Sequence, residues 1–412
     1  MKSPLGKLAI RVVGSIADID AAAWNSLDHG PSPFLRHGFL RALEESGSTD
    51  AATQNKPTRR GPTSGWTSVY IVAERGKQLV GGIAAFIKSH SYGEYIFDWG
   101  WANAAQRAGI EYYPKLVIAA PNTPATGTRI LLAAGEGNEG NESGEGGDGG
   151  ETVKALLAGV RALADDAKCS SIHFLFCSAA EKALLAQHGF FGRTTMQYHW
   201  HNRSYESFDG FLGALKSRKR KQLRKEHERA RAAVDAIEWR RGDELSTEQL
   251  DDLDKFYRTT TDNHGGRDYL RPSFFHLCAK YLPDAMRFVE VLAGGKRIAG
   301  ALFFETDKAL YGRYWGAEPG THVDLLHFET AYYAGIERAI AKQLPLFEAG
   351  AQGEHKLVRG FEPAATHSAH WIRHPGLSAA IADHCEREAS AINHELVELA
   401  KAGPYRDEQG DD

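Results

Sequence analysis

Residues 68–89, SVYIVAERGKQLVGGIAAFIKS, and residues 287–306, RFVEVLAGGKRIAGALFFET, read as the same hairpin written twice. In each, apolar residues alternate along two runs, as strands with a buried face require, and the runs meet at a glycine-lysine turn. The turn is Gly76-Lys77 in the first copy and Gly294-Gly295-Lys296 in the second. Past the turn each copy carries a small-residue break, Gly81-Gly82 or Ala299-Gly300, where a bulge is expected. The surroundings repeat as well. Helices over 18–28 and 34–45 precede the first hairpin. After it come aromatic strands around 94–101 and 115–120, a helix over 152–167, and strands at 171–176 and 194–201. The second hairpin follows helices over 250–261 and 272–282 and leads to a strand at 310–317, a helix over 327–343 and a strand at 345–350. One order appearing twice in 412 residues predicts a duplicated α/β domain.

Composition narrows the class. With 42% hydrophobic residues the chain has a core for each copy, and no apolar run is long enough to span a bilayer, so a soluble cytoplasmic protein without a signal peptide is expected. The four cysteines, Cys169, Cys177, Cys278 and Cys385, lie far apart and predict buried thiols rather than disulfides or a zinc knuckle. The net charge of −4 is uneven: residues 135–151 carry six acids and no base. That tract and residues 47–65 lack apolar residues to bury and predict disordered inserts, and a disordered tail is expected at 403–412.

Chemical groups are densest at 347–361, FEAGAQGEHKLVRGF. Glu348, Gln352, Glu354, His355, Lys356 and Arg359 sit there among Gly350, Gly353 and Gly360, a mixture better suited to a site than to a core. In LYGRYWG, 310–316, strand alternation puts Tyr311, Arg313 and Trp315 on one face and Tyr314 on the other. Residues 88–98 form a polar and aromatic block with Lys88, His90, Tyr92, Glu94, Tyr95 and Asp98. Residues 216–231, KSRKRKQLRKEHERAR, hold nine Lys or Arg in sixteen, and a helix there would present Lys216, Lys219, Arg220, Arg224 and Arg231 as a cationic face suited to phosphates, or to a solvated surface paired with Glu226 and Glu228. The His199-Trp200-His201 spacing with His173 has no carboxylate nearby in sequence, so no metal is expected. Hydrolase, kinase and zincin patterns are absent, which leaves acyl transfer.

The repeated order resembles the GNAT acyltransferase fold, and its tandem copy resembles the Fem-type aminoacyltransferases that lengthen peptidoglycan bridges. The blocks LRHGFLRALEESG, KSHSYGEYIFDWGWA, YYPKL, SRKRKQLRKE, LYGRYWG, LHFETAYYAGIE and FEAGAQGEHKLVRGFEP are similar to those of a FemAB-like group named for peptidoglycan biosynthesis or recognition. The resemblance implies tandem GNAT-like domains at 1–203 and 204–402, each a mixed central sheet flanked by helices. It implies an acyltransferase that moves an aminoacyl group from aminoacyl-tRNA, with no bound cofactor, to an amine on a small molecule or peptide. Catalytic roles then fall to Glu348, Glu354, His355, Lys356 and Arg359. Lys356 or Arg359 would stabilise negative charge, and Glu348, Glu354 or His355 would handle the proton. Lys88, Tyr92, Glu94 and Asp98 resemble an acceptor wall; Arg313, Tyr314, His327 and Gln352 are expected to bind substrate. Lys216, Arg218, Lys219, Arg220, Arg224 and Lys225 would contact tRNA phosphates. Two alternatives stand beside this one: an acetyl-CoA-dependent N-acetyltransferase, and a non-catalytic protein that binds peptidoglycan precursors or RNA. The glycine-rich pyrophosphate loop of acetyl-CoA enzymes is replaced at 318–329 by EPGTHVDLLHFE and at 122–129 by NTPATGTR.

Overall fold

The computed structural model describes residues 7–52, 64–136, 150–263, 266–351 and 353–406. Its strands in chain order are β1 (Leu8–Val13), β2 (Asp50–Ala51), β3 (Trp66–Arg75), β4 (Gln78–Lys88), β5 (Lys115–Ile118), β6 (Leu131–Leu132) and β7 (Ser171–Cys177). They continue as β8 (Phe191–His201), β9 (Ala236–Arg241), β10 (Met286–Ala293), β11 (Lys296–Glu305), β12 (Ala309–Ala317), β13 (Leu346–Glu348) and β14 (Glu362–Ile372). Contacts divide the chain into unit 1, residues 1–195 with 366–392, and unit 2, residues 196–365 with 393–412. A single cut at 203/204 does not describe this division, because the chain returns to unit 1 along β14.

The two units repeat strand for strand. Unit 1 runs β1-β3-β4-β5-β7-β14 and unit 2 runs β9-β10-β11-β12-β13-β8. Neighbours are antiparallel except β5 with β7 and β12 with β13, which are parallel. The expected hairpins are β3-β4 and β10-β11, and both slip register at the same place: Val80 and Ile298 are the extra residues, beside Ala73/Glu74 and Val291/Leu292. The glycine past each bulge allows close packing. A Cβ on Gly82 would lie 2.6 Å from the Trp24 ring, and one on Gly300 would lie 2.4 Å from Phe288.

In unit 1 the helix Gly150–Asp166 lays Leu156 and Val160 on Ile71, Ile83, Leu116 and Phe174. In unit 2 the helix Ala334–Ala341 packs Ile336 and Ile340 among Trp200, Phe303 and Phe347. Truncating such a fully buried ring as Phe347 to alanine costs about 3–5 kcal/mol. The four cysteines are buried free thiols.

Several expectations need correction. Residues 94–101 are not a strand: Gly93 and the left-handed Tyr95 (φ 61°) break the extension, and a helix begins at Trp99. The expected first helix shrinks to Ala21–Asn25, which Asp20 caps. Unforeseen helices occupy Ala179–Gln187, with a Ser178/Glu181 capping box, and Pro375–Lys401. The expected inserts and tail are structured at their edges. Ser48 and Thr49 are buried, β2 pairs with β3, and the Ser64 hydroxyl donates to Asp50. Glu136 pairs with Arg75, Gly150 opens a helix, and the partly buried Tyr405 donates to the Gly360 carbonyl. Residues 53–63, 137–149 and 407–412 lie outside the described residues. Among the described residues, no helix is long and apolar enough to cross a membrane.

Candidate active site

The parallel pair at the heart of unit 2 is short. β12 pairs with β13 only from Ala309 to Tyr311, against Leu346 to Glu348. Beyond that point β12 continues along β11 to Ala317, while the chain after β13 turns aside at Gly350, whose φ of 83° suits glycine. A cavity of about 110 Å³ opens where the strands part. β12 supplies Arg313, Tyr314 and Trp315 to its lining, Ala349 follows β13, and the helical segment after β12 adds His327 and Tyr332.

That helical segment explains how residues five apart share one cavity. Leu326–Phe328 is α-helical, Glu329–Tyr333 widens into a π turn, and Ala334–Ala341 resumes the α-helix. A π turn adds a residue to the helical repeat, and the His327 and Tyr332 rings come to 5.5 Å, centroid to centroid. His327 also meets Trp315 edge-on at 4.9 Å. Such local widening is frequent at functional sites.

Tyr332 and His355 form a hydrogen-bonded pair, with the hydroxyl oxygen 2.9 Å from Nε2. Burial, followed by the charges of Arg359 and Lys356, lowers the His355 pKa, so the ring is neutral at pH 7 and can take a proton. Burial raises Tyr332 to about 12, so its hydroxyl stays protonated. One Arg313 guanidinium nitrogen lies 3.3 Å from the Tyr314 hydroxyl.

The other expected catalytic residues are placed differently. The Lys356 ammonium is buried, donates to the Gly350 carbonyl at 2.6 Å, and is lowered by burial to about 7. Arg359 lies over the Phe328 ring at 3.5 Å and pairs with Glu226 at 2.8 Å. Burial would raise Glu226, but hydrogen bonds from Tyr333 and Gln222 and the charge of Arg359 hold it below its ordinary value. Glu348 is buried in β13, opposite Tyr311 and His199. Glu354 begins the 3-10 turn Glu354–Arg359; its side chain, like the whole of Gln352, lies outside the described residues.

In unit 1 the block at 88–98 folds inward. Lys88, Glu94 and Asp98 are buried with Lys115, a residue the sequence did not single out for chemistry. Lys115 bonds Glu94 at 2.8 Å, Ser91 at 2.8 Å, and Asp98. Lys88 donates to the Tyr92 carbonyl at 2.7 Å and lies 3.5 Å over the Trp66 ring. Burial drives Lys88 down and Glu94 up, each to about 7. For Asp98, burial is outweighed by the charge of Lys115, which holds the carboxyl well below its usual range. In this geometry the three expected acceptor-binding side chains brace one another, and Tyr92 remains half-exposed, its ring edge-on to Trp99.

The basic segment is the helix Ser217–Ala232, preceded by Lys216. Its last turn is committed to structure: Arg229 pairs with Asp324, and Arg231 with the buried Glu329 and with Glu337. Arg224 pairs with Asp209, and Lys216 donates to the Gly403 carbonyl. Arg218, Lys219, Arg220, Lys221 and Lys225 make no ion pair among the described residues. Glu329, which also meets His227 Nδ1 at 2.8 Å, thus anchors this helix.

No group of three or more His, Cys, Asp or Glu among the described residues could hold a metal ion. His173 pairs with His370 at 2.7 Å in unit 1, and His199 belongs to unit 2.

A family model described as FemAB-like, peptidoglycan biosynthesis/recognition, matches residues 15–407. No curated protein matches the sequence. Among solved structures, the C-terminal DUF2156 domain of a putative lysylphosphatidylglycerol synthetase from Agrobacterium fabrum is similar, with a TM-score of 0.52 and 12% identity over 90% of this chain and 96% of that one. FemX gives 0.48 at 12% identity, over 77% of this chain and 91% of its own. A tandem GNAT protein from the clavulanic acid biosynthesis pathway gives 0.40 at 12%, over 90% and 99%. The first likeness and the repeated strand order agree on the fold, a mixed six-strand order flanked by helices in each unit.

Proposed function

Because this chain belongs to the FemAB-like family, acyltransferases tied to peptidoglycan biosynthesis and recognition, we propose that it transfers an aminoacyl group from aminoacyl-tRNA to an amine in the cavity between β12 and β13. The observation that carries the proposal is the parting of these strands beside the Tyr332–His355 pair.

The chemistry needs an uncharged amine, a proton acceptor and a donor for the developing oxyanion. As the amine nitrogen bonds to the ester carbonyl carbon, its proton passes to the Tyr332 oxygen while Tyr332 gives its own to His355. The imidazolium returns that proton to the ribose oxygen when the C–O bond breaks. Arg313 supplies positive charge to the tetrahedral oxygen.

Charge separates the possible donors. The segment after β12 presents Glu318 and Asp324, both partly exposed, where an acetyl-CoA enzyme would place free backbone N–H groups. The unpaired half of the basic helix offers five cations to a polyphosphate chain such as tRNA. Purified protein mixed with a pool of charged tRNA and an amine-bearing peptidoglycan precursor tests the proposal. Transfer of labelled amino acid supports it. Transfer from acetyl-CoA alone would replace it with the acetyltransferase alternative, and precursor binding without transfer from either donor would leave a binding protein.

A further inference from the structure

Unit 1 contains a larger cleft that this chemistry does not use. It holds about 410 Å³, within the range of small-molecule sites, and lies beside the segment leading into β5, the start of β7, and the turn from β14 into the helix Pro375–Lys401. Ile110, Tyr112, Tyr113, Ile372 and Leu377 give it apolar walls.

These walls are fixed from behind. The Tyr112 hydroxyl donates to Asp98 at 2.6 Å, and the Tyr113 hydroxyl lies 2.8 Å from Ser91, which accepts from Lys115. Leu377 and Ile372 pack with Tyr112 and Cys385 in one buried cluster. A cleft whose aromatic walls are tied to a buried ionic cluster is formed before a ligand arrives, which reduces the ordering cost of binding.

The polar lining has one dominant sign. Lys168 and Arg373 line the cleft against a single acid, Glu111, with the His374 ring beside them. Arg373 uses Nε on the Cys169 carbonyl and shares NH2 with Asp165. His374 accepts the Leu377 N–H at Nδ1. Lys168 is exposed and makes no ion pair among the described residues.

We infer that this cleft binds a small apolar anion, a carboxylate or phosphate monoester whose hydrophobic body lies between Tyr112, Tyr113 and Leu377 with its charge toward Lys168. The site stands apart from the acyl-transfer proposal and survives its failure.

The test is ¹⁹F NMR of the full chain with 4-(trifluoromethyl)benzoate, 4-(trifluoromethyl)phenyl phosphate and the uncharged 4-(trifluoromethyl)benzamide. At least one anion should bind more tightly than the benzamide, and the preferred anion identifies the head group. Lys168→Asn, which tolerates the left-handed backbone at this position (φ 52°), should weaken anion binding roughly threefold and leave the benzamide unchanged. Leu377→Trp should abolish binding of all three in a protein that still melts cooperatively. If that variant does not fold, Lys168→Asn decides. Equal binding of anion and benzamide, no binding of any probe, or an undiminished anion in Lys168→Asn overturns the inference.

Discussion

The two units part their parallel strands and then treat the opening in opposite ways. In unit 2, β12 and β13 separate after Tyr311 and Glu348, and the space is a cavity lined by ionisable and aromatic side chains. In unit 1, β5 and β7 pair through Ile118 and Phe174, and the chain beyond β5 fills the corresponding place itself. Gly127 N–H donates to the Phe176 carbonyl at 3.1 Å, and Arg129, fully buried, donates to the carbonyls of Leu175 at 2.7 Å and Ala125 at 2.8 Å. Glu181 then accepts the backbone N–H groups of Arg129 and Ile130. At these equivalent places unit 1 satisfies its backbone with its own arginine, and unit 2 keeps an open cavity.

Side-chain changes at the two openings should therefore separate activity from stability. The largest effect is expected in unit 2: Tyr332→Phe or His355→Ala should lower kcat by roughly 100-fold or more while urea unfolding changes little. Arg129→Met should do the reverse. It strands two buried carbonyls and should cost about 3 kcal/mol in urea unfolding, with turnover per folded molecule unchanged.

Titration sharpens the same contrast. Burial lowers folded Lys356 to about 7 from an ordinary value of 10.5. Between those pH values the unfolded chain binds more protons, so this residue makes stability rise with pH across the window, at up to about 1.4 kcal/mol per pH unit. Lys356→Met should flatten that rise and stabilise the protein at pH 7, as denaturant midpoints at pH 7 and 9.5 would reveal. Lys115, paired twice, should behave oppositely: Lys115→Met leaves Glu94 and Asp98 without their cation and should destabilise at neutral pH. The smallest effect belongs to the basic helix, where Arg218→Ala or Lys221→Ala should reduce the salt slope of tRNA binding by about 1 each, and Arg231→Ala should cost stability as well.

The fold was legible because its deciding signal is local. Strand alternation, turn glycines and bulge positions lie within 22 residues of sequence in each hairpin, and the structure places both bulges one residue before the small pairs, at Val80 and Ile298. The swap of last strands was not legible, since nothing in β8 or β14 states which sheet will take it. Arg313, Tyr314 and His327 were foreseen and do line one cavity. Tyr332 was not among the sequence candidates: a regular helical repeat puts positions 327 and 332 on different faces, and the π turn brings their rings together. Lys88, Glu94 and Asp98 resembled an acceptor wall, and the partner that draws the two acids inward, Lys115, arrives from another strand. Lys356 was read as a charged catalytic group, although desolvation, which sequence does not display, drives it toward the neutral amine.

The most direct test of the account is single-turnover transfer of labelled amino acid from aminoacyl-tRNA to an amine-bearing peptidoglycan precursor, comparing wild type, Tyr332→Phe and Arg129→Met at equal folded concentration. The account predicts transfer by wild type and Arg129→Met and a loss of roughly 100-fold in Tyr332→Phe. Undiminished transfer by Tyr332→Phe, or a loss confined to Arg129→Met, would contradict it.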